Sequence, residues 1–322
     1  MDAGNRLKIL VSESNGFAPD SRRELEALGD VTWGDFDLAG LKAAIGEADI
    51  LWVRLRHFIG ADVLEQAPKL KWIVTATTGL NHIDTAAASR RGIEILSLRD
   101  AAFLSGIRAT AEHTIALALA LIRRLPAAVQ HVNSGGWDRD RFCGAELYGK
   151  TAGIVGYGRL GKIVARSLGA FGCDVLAADP NVVSAEAGVR IVSLAGLLEQ
   201  SDIVTLHVNL NDDNTSFFGA REFQRMKRGS WFVNTSRGEL VDEGALLQAL
   251  RSERLAGAAL DVISGEQRGL EQNALIGFAA AHENLIITPH IGGCTAESMR
   301  KTEAHMIKQL QLRVGPAMEV SH

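Results

Sequence analysis

Short apolar runs of strand length recur along the whole chain, with helix-length stretches between them. The first are Lys8–Val11, Ile50–Val53, Trp72–Ala76 and Ile93–Leu96. Later come Gly153–Val155, Val175–Ala178, Ile203–Leu206, Trp231–Asn234, Ala258–Leu260 and Leu285–Thr288. Strands that are apolar at nearly every position are covered on both faces, which predicts parallel sheets sandwiched by helices. The chain therefore reads as α/β. Its clearest helix is Thr110–Leu125, rich in Ala, Leu and Ile and ending near Pro126. This helix falls between the two strand series and is long enough to bridge two lobes. The second lobe is expected to run from near residue 100 to near 288, and Ala296–Val314 reads as a final helix returning to the first.

Composition narrows this picture without redirecting it. At 322 residues the chain is long for a single core, in keeping with two domains. The formal net charge is -4 and no Lys/Arg block occurs, so a phosphate-neutralising patch for nucleic acid is not expected. The longest strongly apolar stretch, Ile115–Ile122, is too short to span a bilayer, and the N-terminus reads as a buried strand. Neither a membrane nor a nucleic acid is an expected partner. Three cysteines, Cys143, Cys173 and Cys294, are odd in number and widely spaced, as in a reduced, cytoplasmic protein. With neither CxxC nor HExxH present, no metal is expected.

The candidate chemistry begins at Thr151–Val155, a strand that leads into Gly156-Tyr157-Gly158-Arg159-Leu160-Gly161 and then a helix. In this arrangement Gly156 permits a tight turn, Gly158 lets the backbone approach a pyrophosphate, and Gly161 lets helix and strand pack closely. The helix read at Lys162–Phe171 supplies N–H groups and positive dipole to the anion at its start, and Arg159 and Leu160 of the motif join the glycines as cofactor-binding residues. The next strand ends in Asp179, at the spacing of the acid that takes a ribose 2′-hydroxyl. No Lys or Arg lies between Pro180 and Val189 to meet a 2′-phosphate, and the carboxylate would repel one. The expected cofactor is NAD.

Three later stretches each follow a predicted strand: Val233–Asp242, Ala259–Glu266 and Ile287–Gly293. With these, and with Gly144–Asp179, the sequence resembles the D-isomer-specific 2-hydroxyacid dehydrogenases almost end to end. The resemblance is to the 3-phosphoglycerate and glycerate/hydroxypyruvate type. It implies two doubly wound parallel-sheet lobes, with a Rossmann NAD-binding domain (101–288) inserted in a flavodoxin-like substrate domain (1–100 plus 289–322). It makes Arg237 the substrate-binding arginine, His290 the acid/base, Glu266 its carboxylate partner and Asp261 the holder of the nicotinamide carboxamide. The residue types suit a 2-keto acid. A guanidinium fork grips carboxylate and carbonyl, and a protonated imidazole serves the forming alkoxide, favoured in that state by an adjacent carboxylate.

In the first lobe, Thr77–Asp84 matches the family loop whose backbone holds the substrate carboxylate, with Thr78 and Gly79 in that role. Arg54 and Arg56 resemble an Arg-x-Arg that binds a substrate phosphate in 3-phosphoglycerate dehydrogenases, which implies a small anionic substrate with a second anionic group. Active-site placement in a cleft between lobes, lobe closure and a homodimer formed around Thr110–Leu125 are likewise implied. The sequence departs from the family at Gly106-Ile107-Arg108, at Ile263 and Gln267, and through Arg268–His282, a loop that has lost its prolines. His82, His113 and His207 read as structural. Two alternatives share the fold: an NAD(H)-responsive corepressor-like binding protein, and a phosphite dehydrogenase. Glutamate at 266 argues against the formate dehydrogenases, which use glutamine there.

Overall fold

The computed structural model describes residues 6–267, 270 and 273–315, and these form two compact units. The described residues up to Ile107, together with those from Cys294 onward, make the first, and Arg108–Gly293 make the second.

The first unit is built on a five-stranded parallel sheet of β1 (Leu7–Val11), β2 (Gly29–Trp33), β3 (Ile50–Val53), β4 (Trp72–Thr75) and β5 (Glu94–Leu96). Its order is β2-β1-β3-β4-β5, the flavodoxin-like arrangement. Side chains alternate between two cores. Leu51 and Val53 face one with Leu10, Leu41 and Ile73, while Ile50 and Trp52 face the other with Ile9, Val11 and Val74. The second core is closed by Met306, Ile307 and Leu310 of the helix Ala296–Val314.

The second unit carries seven parallel strands: β6 (Thr151–Val155), β7 (Asp174–Ala178), β8 (Val189–Ile191), β9 (Ile203–Leu206), β10 (Ser230–Asn234), β11 (Leu255–Leu260) and β12 (Leu285–Ile287). The order is β12-β11-β10-β9-β6-β7-β8. After β6 the chain fills one side with β7 and β8, then crosses to β9 on the other. This is the dinucleotide-binding pattern, and it opens a crevice at the carboxyl ends of β6 and β9. Here too the sheet divides two cores, with Ile154 and Ile203 on one face and Val155, Val204 and Phe232 on the other.

Four features differ from the sequence-based expectation. Strands β2 and β8 were not expected; each is an edge strand with one neighbour and alternating exposure, so neither presents a continuous apolar run. The long helix spans Ala109–Ile122 and gives way to a second, Leu125–Asn133, across Arg124 at φ 54°. Pro126 opens that second helix, in the first turn where its missing N–H costs nothing. Within the expected loop Arg268–His282, residues 268, 269, 271 and 272 lie outside the described residues, but Ala274–Ala281 is a helix. Asn273 caps it, its Oδ1 accepting from the N–H groups of Leu275 and Ile276. Finally, the unit boundaries fall at 107/108 and 293/294. The short helix Ala101–Leu104 stays with the first unit because Phe103 stacks on His305. Residues 289–293 stay with the second because Asp261 holds them, as described below.

Candidate active site

The loops at the carboxyl ends of the second sheet hold two groups of residues. The first is the glycine turn after β6. Gly156 has φ 90°, and a Cβ on it would lie 2.4 Å from the carbonyl oxygen of His207, so the turn passes close under the end of β9. A Cβ on Gly161 would lie 2.1 Å from the Gly156 carbonyl oxygen, which is how tightly the helix Arg159–Ala170 sits on the turn. Gly158, the residue before that helix, is different: a Cβ there meets nothing within 4 Å. The backbone at Gly158 is thus open to a ligand at the helix N-terminus, where N–H groups and the helix dipole favour a phosphate.

Asp179 follows β7 and is tied to this turn. Its Oδ2 accepts from the Tyr157 N–H (2.9 Å) and its Oδ1 from the Asn181 N–H (2.9 Å). Leu160 packs into the core beneath. Arg159 is half-buried, and burial draws its guanidinium below the usual range, a cost that a bound pyrophosphate would relieve. The residues present therefore fit a dinucleotide.

The second group gathers from β10, β11 and β12. Arg237 follows β10 at a turn whose next residue, Gly238, comes so close to the β11 loop that a Cβ on it would lie 2.0 Å from the Ile263 carbonyl carbon. Only glycine permits that approach, and it brings Arg237 beside the segment carrying Glu266. The Arg237 Nη1 donates to the Ser236 carbonyl (2.6 Å), and the Arg237 carbonyl accepts from Asn234 Nδ2 (2.9 Å). Burial lowers the Arg237 pKa, while the negative charges of Glu266 and Glu239 oppose that shift.

His290 Nδ1 is hydrogen-bonded to Glu266 Oε1. An ionised carboxylate only accepts, so Nδ1 carries the hydrogen and Nε2 is the nitrogen left for proton exchange. The two side chains are only 19% and 14% exposed, so water screens them weakly. The His290 backbone sits at φ 53°, a left-handed conformation that non-glycine residues rarely adopt without local restraint.

Asp261 supplies that restraint. It is buried, at 1% exposure, and both oxygens are engaged: Oδ1 by the Thr288 hydroxyl (2.6 Å) and the Ile291 N–H (2.9 Å), Oδ2 by the Gly292 N–H (2.7 Å). Its backbone carbonyl accepts from the His290 N–H (2.9 Å). His113 Nε2, on the helix Ala109–Ile122, lies 3.2 Å from Asp261 Oδ1 and 3.0 Å from Thr288 Oγ1. Asp261 is thereby a clasp on the loop that presents His290, and His113 and Thr288 belong to the clasp. In the sequence His113 reads as structural, since no spacing links it to Asp261. Gln267, noted as a departure, donates from Nε2 to Glu266 Oε1 (3.1 Å).

In the first unit, Arg54 and Arg56 follow β3, and both have carboxylate partners. Arg54 Nη2 meets Glu303 Oε1 at 2.8 Å, with side-chain exposures of 18% and 0%, and its Nη1 donates to the Asn15 carbonyl (2.7 Å). Arg56 Nη2 lies 3.3 Å from Asp35 Oδ1. Glu13 takes the backbone N–H groups of both arginines. After β4, the Thr77 hydroxyl donates to the Gly79 carbonyl (2.8 Å) and meets Thr75 Oγ1 (3.0 Å), tightening the turn at exposed Thr78 and half-buried Gly79. Among the described residues no His/Cys/Asp/Glu cluster is arranged for a metal, and no single helix is long and apolar enough to cross a membrane.

A family model described as D-isomer specific 2-hydroxyacid dehydrogenase, NAD binding domain, matches residues 115–292. The D-3-phosphoglycerate dehydrogenase of Mycobacterium tuberculosis is 37% identical over 296 residues, covering 90% of this chain and 54% of that protein. The chain thus spans about half the length of such curated relatives. A putative D-3-phosphoglycerate dehydrogenase from Ralstonia solanacearum superposes with a TM-score of 0.84 at 30% identity, over 98% of this chain and 96% of that one. D-lactate dehydrogenase from Aquifex aeolicus, solved with NAD and lactic acid, gives 0.81 at 28% identity, over 95% of each chain.

Proposed function

This chain belongs to the D-isomer specific 2-hydroxyacid dehydrogenase family, and on that premise we propose that it moves a hydride between NAD(H) and a small D-2-hydroxy acid or its 2-keto acid. The observation that carries the reading is the Glu266–His290 pair with Arg237 charge-coupled to it. NAD, when bound, supplies or takes the hydride. Gly156, Gly158, Arg159, Leu160, Gly161 and Asp179 are the residues to hold it, on the strength of the open backbone at Gly158 and the placement of Asp179 on the glycine turn.

Arg237 grips the substrate carboxylate and polarises the adjacent carbonyl through its fork of donors. His290 gives a proton from Nε2 to the oxygen that becomes the alcohol, and takes it back in oxidation. Glu266 holds the ring in the tautomer that leaves Nε2 available and balances the charge of the imidazolium. Asp261 is assigned to the cofactor side by the resemblance. The hydrogen bonds that both of its oxygens accept from residues 288–292 support a second role for it, fixing the His290 loop.

Thr78 and Gly79 are our carboxylate-side residues in the first unit, and Arg54 and Arg56 are the residues that a second anionic group would have to engage. Because Glu303 and Asp35 already neutralise these two arginines, a phosphorylated acid must compete with protein carboxylates. That observation favours a substrate with one anionic group. Leu125, Val129 and Val132 lie exposed on one face of the helix Leu125–Asn133, and Trp137 beyond it is 89% exposed. These apolar side chains suit burial against a second copy of the chain, so we read the protein as a homodimer. The exposed free thiols of Cys143 and Cys294 suit a reducing, cytoplasmic setting.

The test is NADH consumption with glyoxylate, hydroxypyruvate, phosphohydroxypyruvate, pyruvate and bulkier 2-keto acids, each repeated with Arg237→Ala. Turnover that disappears in the variant supports the reading, and preference among the acids reports on Arg54 and Arg56. NADH binding without turnover of any keto acid refutes it in favour of phosphite oxidation or an NAD-responsive binding role. Sedimentation velocity reads the assembly, and a monomer at working concentration refutes the dimer.

A further inference from the structure

We propose that Gln267 is a positioning residue for the acid/base pair, its side-chain amide drawing charge from the Glu266 oxygen that His290 uses and so limiting the pH to which the imidazole keeps its proton. The inference rests on the reading of His290 as the acid/base. Gln267 Nε2 donates to Glu266 Oε1 at 3.1 Å, and that same Oε1 is the partner of His290 Nδ1. One carboxylate oxygen therefore serves two donors. A second N–H on that oxygen spreads its negative charge and weakens it as a partner for the imidazolium. The same contact holds the carboxylate in the orientation that meets the ring.

The other charged groups around the pair lie on separate elements. Arg237, after β10, feels the negative charges of Glu266 and Glu239. Glu239, in the following turn, accepts from the Gly265 N–H (3.4 Å). Glu243, opening the helix Glu243–Arg251, accepts from the Ser264 N–H (2.6 Å), and burial raises its pKa. Asp261 and His113 face each other on the far side of the His290 loop. None of these contacts involves Gln267, so altering that side chain isolates its own effect.

The test compares the wild type with Gln267→Leu, which removes the donor, and Gln267→Glu, which replaces it with a second carboxylate. Two readouts are taken: the pH–rate profile for 2-keto acid reduction, and the NMR titration of the His290 ring in the full chain, assigned with His290→Asn. The donor sits on a charged oxygen, and the part of that hydrogen bond felt by the imidazolium corresponds to about half to one pH unit. The upper limb and the ring titration are both expected to move up by that amount in Gln267→Leu, and further in Gln267→Glu. A purely structural role would lower the rate without moving either. Unchanged or downward titration in both variants overturns the inference. If the wild type reduces no keto acid, the proposed reaction fails, and the ring titration alone decides the role of Gln267.

Discussion

Replacing Asp261 with asparagine tests whether this side chain is the clasp that sets the His290 loop. The carboxylate takes three hydrogen bonds from that loop, two on Oδ1 and one on Oδ2, with His113 beside Oδ1. An asparagine in its kinder orientation keeps oxygen toward Thr288 and Ile291 but turns NH2 toward the Gly292 N–H. One hydrogen bond to a charged acceptor is then lost, worth about 1.5–3 kcal/mol, and two buried donors confront each other with no acceptor between them. At a site this buried the total cost is about 2–4 kcal/mol. The flipped orientation loses two hydrogen bonds and costs more. The left-handed backbone at His290, which holds strain of about 1–3 kcal/mol, then relaxes and withdraws the ring from Glu266. Urea unfolding followed by tryptophan fluorescence is expected to show a lower midpoint at constant slope. Keto acid reduction should fall at least tenfold, for about 1.4 kcal/mol lost in the transition state. A variant within about 0.5 kcal/mol of the wild type, with its rate intact, would refute the clasp.

Glu266→Gln keeps the size of the side chain but removes its charge, so the imidazolium loses its stabilising partner and the upper pH limit for reduction should fall; an unchanged pH–rate profile would count against the pairing. His207, whose ring is pushed down to about 4 by burial, meets the Thr205 hydroxyl at Nε2 (3.0 Å), and its buried Nδ1 has no hydrogen-bond partner among the described residues. Its folded pKa lies below the unfolded value, so its contribution to stability is complete above about 6.5 and drains away as the pH falls toward about 4. Between pH 7 and 5 this amounts to about 2 kcal/mol at most, and His207→Gln should flatten the urea-midpoint profile there by that amount; an equally steep profile in the variant would show that another group drives acid sensitivity. Gly161→Ala forces a Cβ against the Gly156 carbonyl, a backbone atom that cannot swing aside. The helix must lift from the turn, with a stability loss of about 1–3 kcal/mol and weaker NADH binding by fluorescence titration, and normal binding would contradict the packing.

Much of the fold was legible because burial on both faces leaves a strong mark. Strands β3, β6 and β9 are apolar at almost every position, and β6 runs into a glycine pattern that the helix after it and the acid Asp179 mark as a dinucleotide turn. The edge strands β2 and β8 left no such mark, since half their side chains meet water. Pro126 was ambiguous for a local reason: proline both ends helices and starts them, and only the left-handed Arg124 before it decides which.

The site divides along the same line. The family resemblance named Arg237, Glu266, His290 and Asp261 from motifs that follow β10, β11 and β12, strands that lie side by side in one parallel sheet. Only the tertiary structure revealed that Asp261 spends its oxygens on the His290 loop, that His113 joins it from a helix far away in sequence, that Gln267 shares the oxygen of Glu266, and that Arg54 and Arg56 already face Glu303 and Asp35. Those are contacts between side chains brought together by packing, where distance and direction decide the chemistry. Residue order carries the period of a strand or the spacing of a turn, but it does not carry which donor reaches which oxygen.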